Sequence, residues 1–176
     1  MKISPENKPY LFFIASMVLA LPAFLINLGL SPVIDDEAIR ALVAFEMVQK
    51  GDFITPTIGG EIYLKKPPLF NWLIAASFNL FDSYGEIPVR IPMIVSLFLF
   101  TLMIFYFFKK ETGTEFGVIN ALLFLTCGRI IIYESLHGLI DITFSMLTFL
   151  FFMLIYRCFN QGRLLKLFIF AYLVTA

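Results

Sequence analysis

The sequence is short of charge, histidine and cysteine. Only 15% of its 176 residues are charged and the formal net charge is zero, so no basic surface favours nucleic acid as a partner. A single histidine, His137, provides no histidine cluster for a metal ion. The two cysteines, Cys127 and Cys158, lie in or beside apolar runs. We interpret them as packing residues rather than as a disulfide.

Apolar residues are abundant instead. Hydrophobic residues make up 60% of the chain, 22 of them are phenylalanine, and the mean hydropathy is +0.88. A small soluble domain cannot bury so many phenylalanines, whereas helices that face lipid accommodate them. The composition therefore predicts an all-α membrane protein, a bundle of helices that crosses the bilayer several times.

Apolar runs of membrane length give the predicted spans. A helix needs about 20 residues to cross the hydrocarbon core. Four spans are predicted, over residues 10–30, 91–108, 116–132 and 142–156. A further run, 167–176, is too short to cross, so we expect it to begin a fifth span and the chain to be the N-terminal part of a larger transmembrane domain. The first run is too long for a signal-peptide core and has no small-residue cleavage site, which favours an uncleaved anchor.

The distribution of Lys and Arg predicts the orientation. Residues 1–9, 109–115 and 157–166 together hold seven Lys or Arg against three Asp or Glu, whereas residues 31–90 hold five against eight. Because cytoplasmic loops are enriched in Lys and Arg, the N-terminus is expected in the cytoplasm. Residues 31–90 and the short link 133–141 are then both expected on the external face.

The first external segment, residues 31–90, is predicted to contain two interfacial helices. Apolar residues recur every three to four positions over 35–50, which indicates an amphipathic helix that Asp35 or Asp36 can cap and Gly51 can end. Residues 53–63 have the composition of an extended loop. Residues 69–81 form a second apolar segment, too short for a span and typical of an interfacial helix. This arrangement places the charges of the segment at the level of the lipid headgroups.

The acidic run at the start of the first interfacial helix has two interpretations. Asp35, Asp36 and Glu37 suit a helix N-terminus, where carboxylates are favoured by capping and by the helix dipole. One acid is enough for capping, however. The functional interpretation is an ionised carboxylate that acts as a base or binds a cation.

Other charged residues have similar alternatives. Lys65 and Lys66 either contact anionic headgroups or bind a phosphate held by the following Pro67 and Pro68. Asp141 borders the fourth predicted span, where it either caps the helix or serves a functional site. Nearby, an ion pair between Arg129 and Glu134 is the expected structural role of both residues.

Several short motifs occur together in a recognisable order. In this order the chain resembles the polyprenyl-phosphate-sugar-dependent glycosyltransferases of the integral-membrane GT-C class, in particular the protein mannosyltransferases and the aminoarabinose transferases that modify lipid A. The resemblance covers about residues 10–156. The matching stretches are Asp36–Ala38, Ala44–Met47, Gly51–Pro56, Tyr63–Trp72, Arg90–Pro92 and Asp141–Phe144.

The resemblance implies roles for individual residues. Asp36 matches the catalytic base and Glu37 its partner, while Asp141 matches a second acidic position at the mouth of the active site. Lys66 and Tyr63 match positions that hold the donor phosphate, and Lys65 is a further candidate contact. In the lipid A branch the residue before the matching lysine is usually acidic. Lys65 stands there instead, which argues against a bound divalent metal, and no other cofactor is implied.

The chemistry of these residue types agrees with the resemblance. A carboxylate can deprotonate or orient the acceptor, and a lysine can stabilise the charge that develops on a leaving phosphate. The resemblance implies a transferase in the bacterial inner membrane that inverts the anomeric carbon, with a polyprenyl-phosphate-sugar donor and a lipid, glycan or protein acceptor. A transporter for a charged lipid and a non-catalytic membrane subunit are the alternatives, although no internal repeat supports a transporter.

Overall fold

The protein is described by a computed structural model that covers residues 7–161 and residue 169. It is a bundle of helices with one small antiparallel hairpin, Thr57–Ile58 (β1) and Glu61–Ile62 (β2). This architecture confirms the predicted all-α, polytopic membrane fold. The helices are Lys8–Leu25 (α1), Asp35–Lys50 (α2), Leu69–Phe81 (α3), Glu86–Thr112 (α4), Thr114–Leu125 (α5), Gly128–Ile132 (α6) and Asp141–Gln161 (α7), with a 3₁₀ turn at Glu134–Leu136.

Three helices of the described part of the chain, α1, α4 and most of α7, are long and apolar enough to cross a membrane. A fourth crossing results if α5 and the bent segment Gly128–Leu136 are taken as one span. The predicted start of a fifth span, 167–176, lies outside the described residues apart from residue 169. The exact number of spans and the interfacial placement of α2 and α3 stay predictions.

The third predicted span, 116–132, is broken rather than continuous. Helix α5 and the segment that follows it are bent by 41°. At the break, Thr126 leaves the helical region and its hydroxyl donates to the Leu122 carbonyl at 2.7 Å, while Cys127 is extended with φ −57° and ψ 130°. The apolar pattern did not reveal this break because apolar residues continue on both sides of it.

Helix α4 is the centre of the bundle. It packs against α3, α5 and α7, and Phe100 on α4 lies between Phe124 of α5 and Phe149 of α7, with ring centroids 4.5 and 5.4 Å apart. Phe13 of α1 stacks on Phe105 of α4 with centroids 4.3 Å apart. These aromatic contacts hold the apolar helices together.

The start of α2 differs from the prediction. No acidic side chain caps the helix: the residue before it is Ile34, in extended conformation, and it makes no side-chain capping bond. The chain enters α2 through Asp35, whose φ of +50° lies in the left-handed region that Asp tolerates better than most residues. The other end is as predicted, because Gly51 ends the helix with φ +66°. The acids are therefore free for other partners.

Candidate active site

An acidic cleft lies where the N-terminal ends of α2 and α7 meet. Its volume is about 370 Å³. Two residues predicted for the site, Asp36 and Asp141, therefore lie in one cleft although they are far apart in the sequence. The lining residues are Ile34, Asp35, Asp36, Tyr133, His137, Leu139 and Asp141.

Asp36 lies between two cations. Its Oδ2 accepts a hydrogen bond from the Lys66 ammonium, and Arg40 Nη2 lies 4.0 Å from the same oxygen. The Asp36 side chain is 41% exposed, so water and small polar groups reach it.

Glu37, the predicted catalytic partner of Asp36, has surroundings different from those of Asp36. Its side chain is fully buried and forms a bidentate ion pair with Arg90, whose Nε and Nη2 donate to the two carboxylate oxygens at 2.7 and 2.9 Å. Oε1 also accepts the Gly138 backbone N–H at 2.6 Å. Both oxygens are thus occupied by Arg90 and Gly138, as in a structural ion pair, and the partnership of Glu37 with Asp36 stays a prediction.

Arg90 extends this buried ion pair to a further part of the chain. Its guanidinium also donates to the carbonyl oxygens of Leu28 at 2.6 Å and Pro32 at 3.3 Å. The arginine on α4 therefore ties the segment after α1 to the start of α2. Bidentate, fully satisfied pairs of this kind fix geometry because the planar guanidinium matches the carboxylate.

The link that carries Asp141 is held by close packing. A Cβ atom on Gly138 would lie 2.9 Å from the Val89 carbonyl oxygen and 3.0 Å from Glu37 Oε1, so only glycine fits. Two residues beyond Asp141, the Thr143 hydroxyl donates to Ser96 on α4 at 2.8 Å. Asp141 itself is the first residue of α7. These contacts place its carboxylate at the cleft.

Lys66 and Lys65 have separate surroundings. Lys66 contacts Asp36 at the edge of the cleft, whereas the exposed Lys65 ammonium lies 6.0 Å from the Tyr63 ring centroid. The Tyr63 backbone N–H donates to the Pro56 carbonyl at 2.8 Å. Of the three predicted phosphate-binding residues, the structure brings only Lys66 into contact with a predicted catalytic acid.

An apolar groove of about 510 Å³ lies between the start of α3 and α7. It begins at Pro67, directly after Lys66, and includes Ile140, directly before Asp141. The groove and the acidic cleft are thus adjacent along two segments of the chain. The lining residues are Pro67, Leu69, Phe70, Ile140, Thr143, Phe144, Leu147, Thr148 and Phe151.

Glu46 organises the loop that precedes Lys66. It accepts hydrogen bonds from Lys50 Nζ at 2.8 Å, Thr57 Oγ1 at 2.5 Å, and the backbone N–H groups of Gly59 and Gly60. These donors, with Lys50 contributing most and Thr57 next, lower the pKa of Glu46 to about 2. The hairpin β1–β2 is therefore attached to α2 through one carboxylate.

Sequence reasoning missed the roles of Arg90, Arg40 and Glu46. Arg90 and Glu46 were noticed only as parts of motifs, and Arg40 was not singled out. A usable signal existed for Arg90, since an arginine at the start of an apolar run is costly unless it is paired. For Arg40 the signal was its position one helical turn after Asp36.

The remaining polar residues near the cleft have local partners. The predicted ion pair is confirmed: Arg129 Nε donates to Glu134 Oε1 at 2.8 Å, and Glu134 is buried. His137 Nδ1 lies 2.9 Å from the Tyr133 carbonyl oxygen. Within residues 7–161, no three His, Cys, Asp or Glu side chains are arranged to hold a metal ion.

Membrane-length helices with a charged cleft and an apolar groove at one end define an integral membrane protein of polytopic helical fold. Its fold is similar to that of ArnT from Cupriavidus metallidurans, with a TM-score of 0.73 to both the apo crystal structure and the structure bound to undecaprenyl phosphate. The identities are 21% and 19%. The matches cover 86% and 84% of this chain and 27% of each ArnT chain.

Sequence comparison gives the family. The family described as dolichyl-phosphate-mannose-protein mannosyltransferase matches residues 65–176, and the chain belongs to it. Two uncharacterized proteins of Aquifex aeolicus are also similar, one 26% identical over 153 residues and one 32% identical over 89 residues, covering 86% and 51% of this chain. The chain spans only 30% and 21% of the lengths of these two relatives.

Proposed function

We propose that this chain carries part of the active site of a glycosyltransferase that moves a sugar from a polyprenyl-phosphate donor to a lipid, glycan or protein acceptor. The observation that supports this most is the contact between Lys66 and Asp36, which places a phosphate-binding type of residue against a candidate base that lines the acidic cleft. The family and the ArnT structure with undecaprenyl phosphate both point to a polyprenyl-phosphate ligand.

The donor binds with its polyprenyl chain in the apolar groove and its phosphate and sugar at the acidic cleft. The apolar groove takes the part of the polyprenyl chain next to the headgroup, because its lining is almost wholly hydrocarbon. Lys66, at the start of the groove, binds the phosphate as a point charge. Lys65 and Tyr63, which lie on the same short segment, supply further donor contacts once the phosphate is bound.

The acids act on the acceptor. Asp36 removes the proton of the acceptor hydroxyl as its oxygen attacks the anomeric carbon. The bond from that carbon to the phosphate oxygen breaks, the electron pair leaves with the phosphate, and Lys66 stabilises the charge. The products are the glycosylated acceptor with inverted configuration and free polyprenyl phosphate. Asp141, across the cleft, orients the reacting sugar or acceptor.

The placement of the reaction follows from the orientation. With the N-terminus in the cytoplasm, the cleft opens on the external face of the membrane, in bacteria the periplasmic side of the inner membrane. A donor anchored in the bilayer then reaches Lys66 without leaving the lipid phase.

Neutralising the base tests the proposal. In the full-length protein, Asp36→Asn should lower the transfer of radiolabelled sugar from a polyprenyl-phosphate donor by about 10²-fold or more, since general bases contribute that much. Glu61→Gln, which neutralises an exposed acid in the same segment, is the control and should leave transfer unchanged. Normal turnover by Asp36→Asn would contradict the assigned role.

Donor binding without transfer would favour a transporter or a non-catalytic anionic-lipid binder. The groove and Lys66 alone would serve such a protein. Polyprenyl phosphate binding and sugar transfer are therefore measured on the same preparation. The alternative would be supported if the wild type binds polyprenyl phosphate but transfers no sugar, and if Lys66→Gln weakens that binding.

A further inference from the structure

Arg40 is a buried cation without a hydrogen-bonding partner among the described residues. It lies on α2, one turn after Asp36, and is 1% exposed. Its Nε, Nη1 and Nη2 atoms are all buried and unpaired within residues 7–161. Guanidinium groups stay charged in proteins, and a buried charge that lacks a partner is strongly unfavourable. Such a group calls for an explanation beyond packing.

Arg40 lies close to the proposed base, Asp36. Arg40 Nη2 lies 4.0 Å from Asp36 Oδ2, which is beyond hydrogen-bonding distance. That same oxygen is held by Lys66, whose side chain is 36% exposed and belongs to the loop before α3. Asp36 Oδ2 therefore accepts a hydrogen bond from Lys66, which is partly exposed. The buried Arg40 lies near the same oxygen but does not bond to it.

We propose that Arg40 is a positioning residue. It forms a hydrogen bond to Asp36 when Lys66 leaves Asp36 to bind the donor phosphate. This inference rests on the proposed function. The phosphodiester of the donor, which carries one negative charge, competes with the Asp36 carboxylate for the Lys66 ammonium, and a lysine on a loop with 36% of its side chain exposed can move to it. A shift of about 1 Å brings Arg40 to hydrogen-bonding distance of Asp36. The base then keeps a counterion and a fixed orientation when the donor is in place.

The exchange has a catalytic consequence. Before the exchange, Lys66 is bonded to the Asp36 carboxylate and so is not free to bind the donor phosphate. After the exchange, Arg40 holds Asp36 from the buried side, and the exposed side faces the acceptor. Donor binding and preparation of the base are thereby coupled through one lysine.

Burial distinguishes this role from direct phosphate binding. Arg40 is almost inaccessible, and it is not among the residues that line the acidic cleft or the apolar groove. A phosphate could reach it only after the residues that cover it had moved. The geometry therefore assigns Arg40 to Asp36 and Lys66 to the phosphate.

The test separates donor binding from turnover in the full-length protein. Arg40→Met removes the charge and keeps an apolar side chain of similar length, while Arg40→Lys keeps the charge. For Arg40→Met we expect polyprenyl phosphate to bind within about twofold of wild type and kcat to fall about tenfold or more, less than for loss of the base itself. Arg40→Lys should recover part of kcat. The thermal unfolding temperature of Arg40→Met should not fall, because an unpaired buried charge is removed.

Lys66→Gln is the matched comparison. In this variant we expect the affinity for polyprenyl phosphate to fall, whereas in Arg40→Met it should be nearly unchanged. Unchanged kcat in Arg40→Met would overturn the inference. So would a loss of polyprenyl phosphate affinity equal to that of Lys66→Gln, which would make Arg40 a phosphate ligand, or a loss of kcat that only follows a lower unfolding temperature. If the wild type transfers no sugar, or Asp36→Asn stays active, the proposed function itself fails. If both of those controls behave as proposed and Arg40→Met is fully active, only the role of Arg40 fails.

Discussion

Asp36 and Glu37 are neighbours in the chain with opposite surroundings. Successive residues of a helix point about 100° apart, so α2 directs one carboxylate to the cleft and the other to the interior. Asp36 keeps an exposed face, whereas both oxygens of Glu37 are bound by Arg90 and the Gly138 N–H. One acid is available for chemistry because the other fixes the helix that carries it.

This difference gives a prediction on stability. Glu37→Gln leaves the buried Arg90 guanidinium without its counterion, and removing one partner of a buried ion pair costs about 3–5 kcal/mol. We expect a clearly lower thermal unfolding temperature for the purified protein in detergent. Glu115→Gln, at an exposed site, should unfold like the wild type. Equal unfolding temperatures for Glu37→Gln and wild type would show that the pair contributes little.

At the scale of elements, the segment between α2 and α3 depends on a few polar contacts. The two strands contain two residues each, too few for a stable hairpin on their own. Glu46 attaches the hairpin to α2, and Asp52 accepts the backbone N–H groups of Ile54 and Thr55, which lower the pKa of Asp52. Trp72 on α3 donates to the Phe53 carbonyl at 2.6 Å. Together these contacts set the path of the chain towards Lys66.

The lowered pKa of Glu46 predicts a pH dependence for this segment. Because the folded-state pKa is about 2, below the ordinary value of 4.5, the stabilisation is fully present above pH 4.5 and is lost as the pH falls towards 2. Hydrogen exchange of a peptide covering 53–63, corrected for the intrinsic rate at each pH, should show protection at pH 5 that declines at lower pH.

Two variants check that Glu46 is the cause. Glu46→Gln should have low protection of the same peptide already at neutral pH, with a weaker pH dependence. Glu61→Gln changes an exposed acid of the hairpin itself and should keep the wild-type profile. Protection in Glu46→Gln that matches the wild type would assign the ordering of the loop to its other contacts.

At the scale of the molecule, the cleft forms where several helices end together. The starts of α2, α4 and α7 carry Asp36, Arg90 and Asp141; Arg90 ties the start of α4 to that of α2 through Glu37, and α4 packs against α7. Polar groups thus gather at one end of helices whose lengths suit the bilayer. A site built this way is available to a ligand that has a polar head and an apolar tail.

The predicted orientation is testable by labelling. In a Cys127→Ser/Cys158→Ser background of the full-length protein, with any other cysteines also replaced, a cysteine introduced by Ile54→Cys should react with a membrane-impermeant thiol reagent from outside the cytoplasmic membrane of spheroplasts. Ile54 is 86% exposed, so reactivity is not limited by packing. Lys110→Cys, in the last turn of α4, should react only after the membrane is made permeable. The reverse pattern would place the cleft in the cytoplasm.

The class of fold and most of the helices could be predicted from the amino-acid sequence. Composition and run length are enough to predict membrane helices because the bilayer sets both requirements. The end of α2 at Gly51 and the placement of α3 after Pro68 also followed from local chemistry. The motif order further singled out Asp36, Lys66 and Asp141, two of which line one cleft.

The ion-pair partners of Asp36, Glu37 and Lys66 could not be predicted, because they depend on how the helices pack. The cap expected from Asp35 or Asp36 is absent, Glu37 pairs with Arg90 across 53 residues, and Lys66 meets Asp36 across 30. Arg40 lies buried beside the same acid. Local propensity depends only on neighbouring residues. These partners instead depend on which helices pack together, because packing removes particular charges from water and brings distant residues into contact.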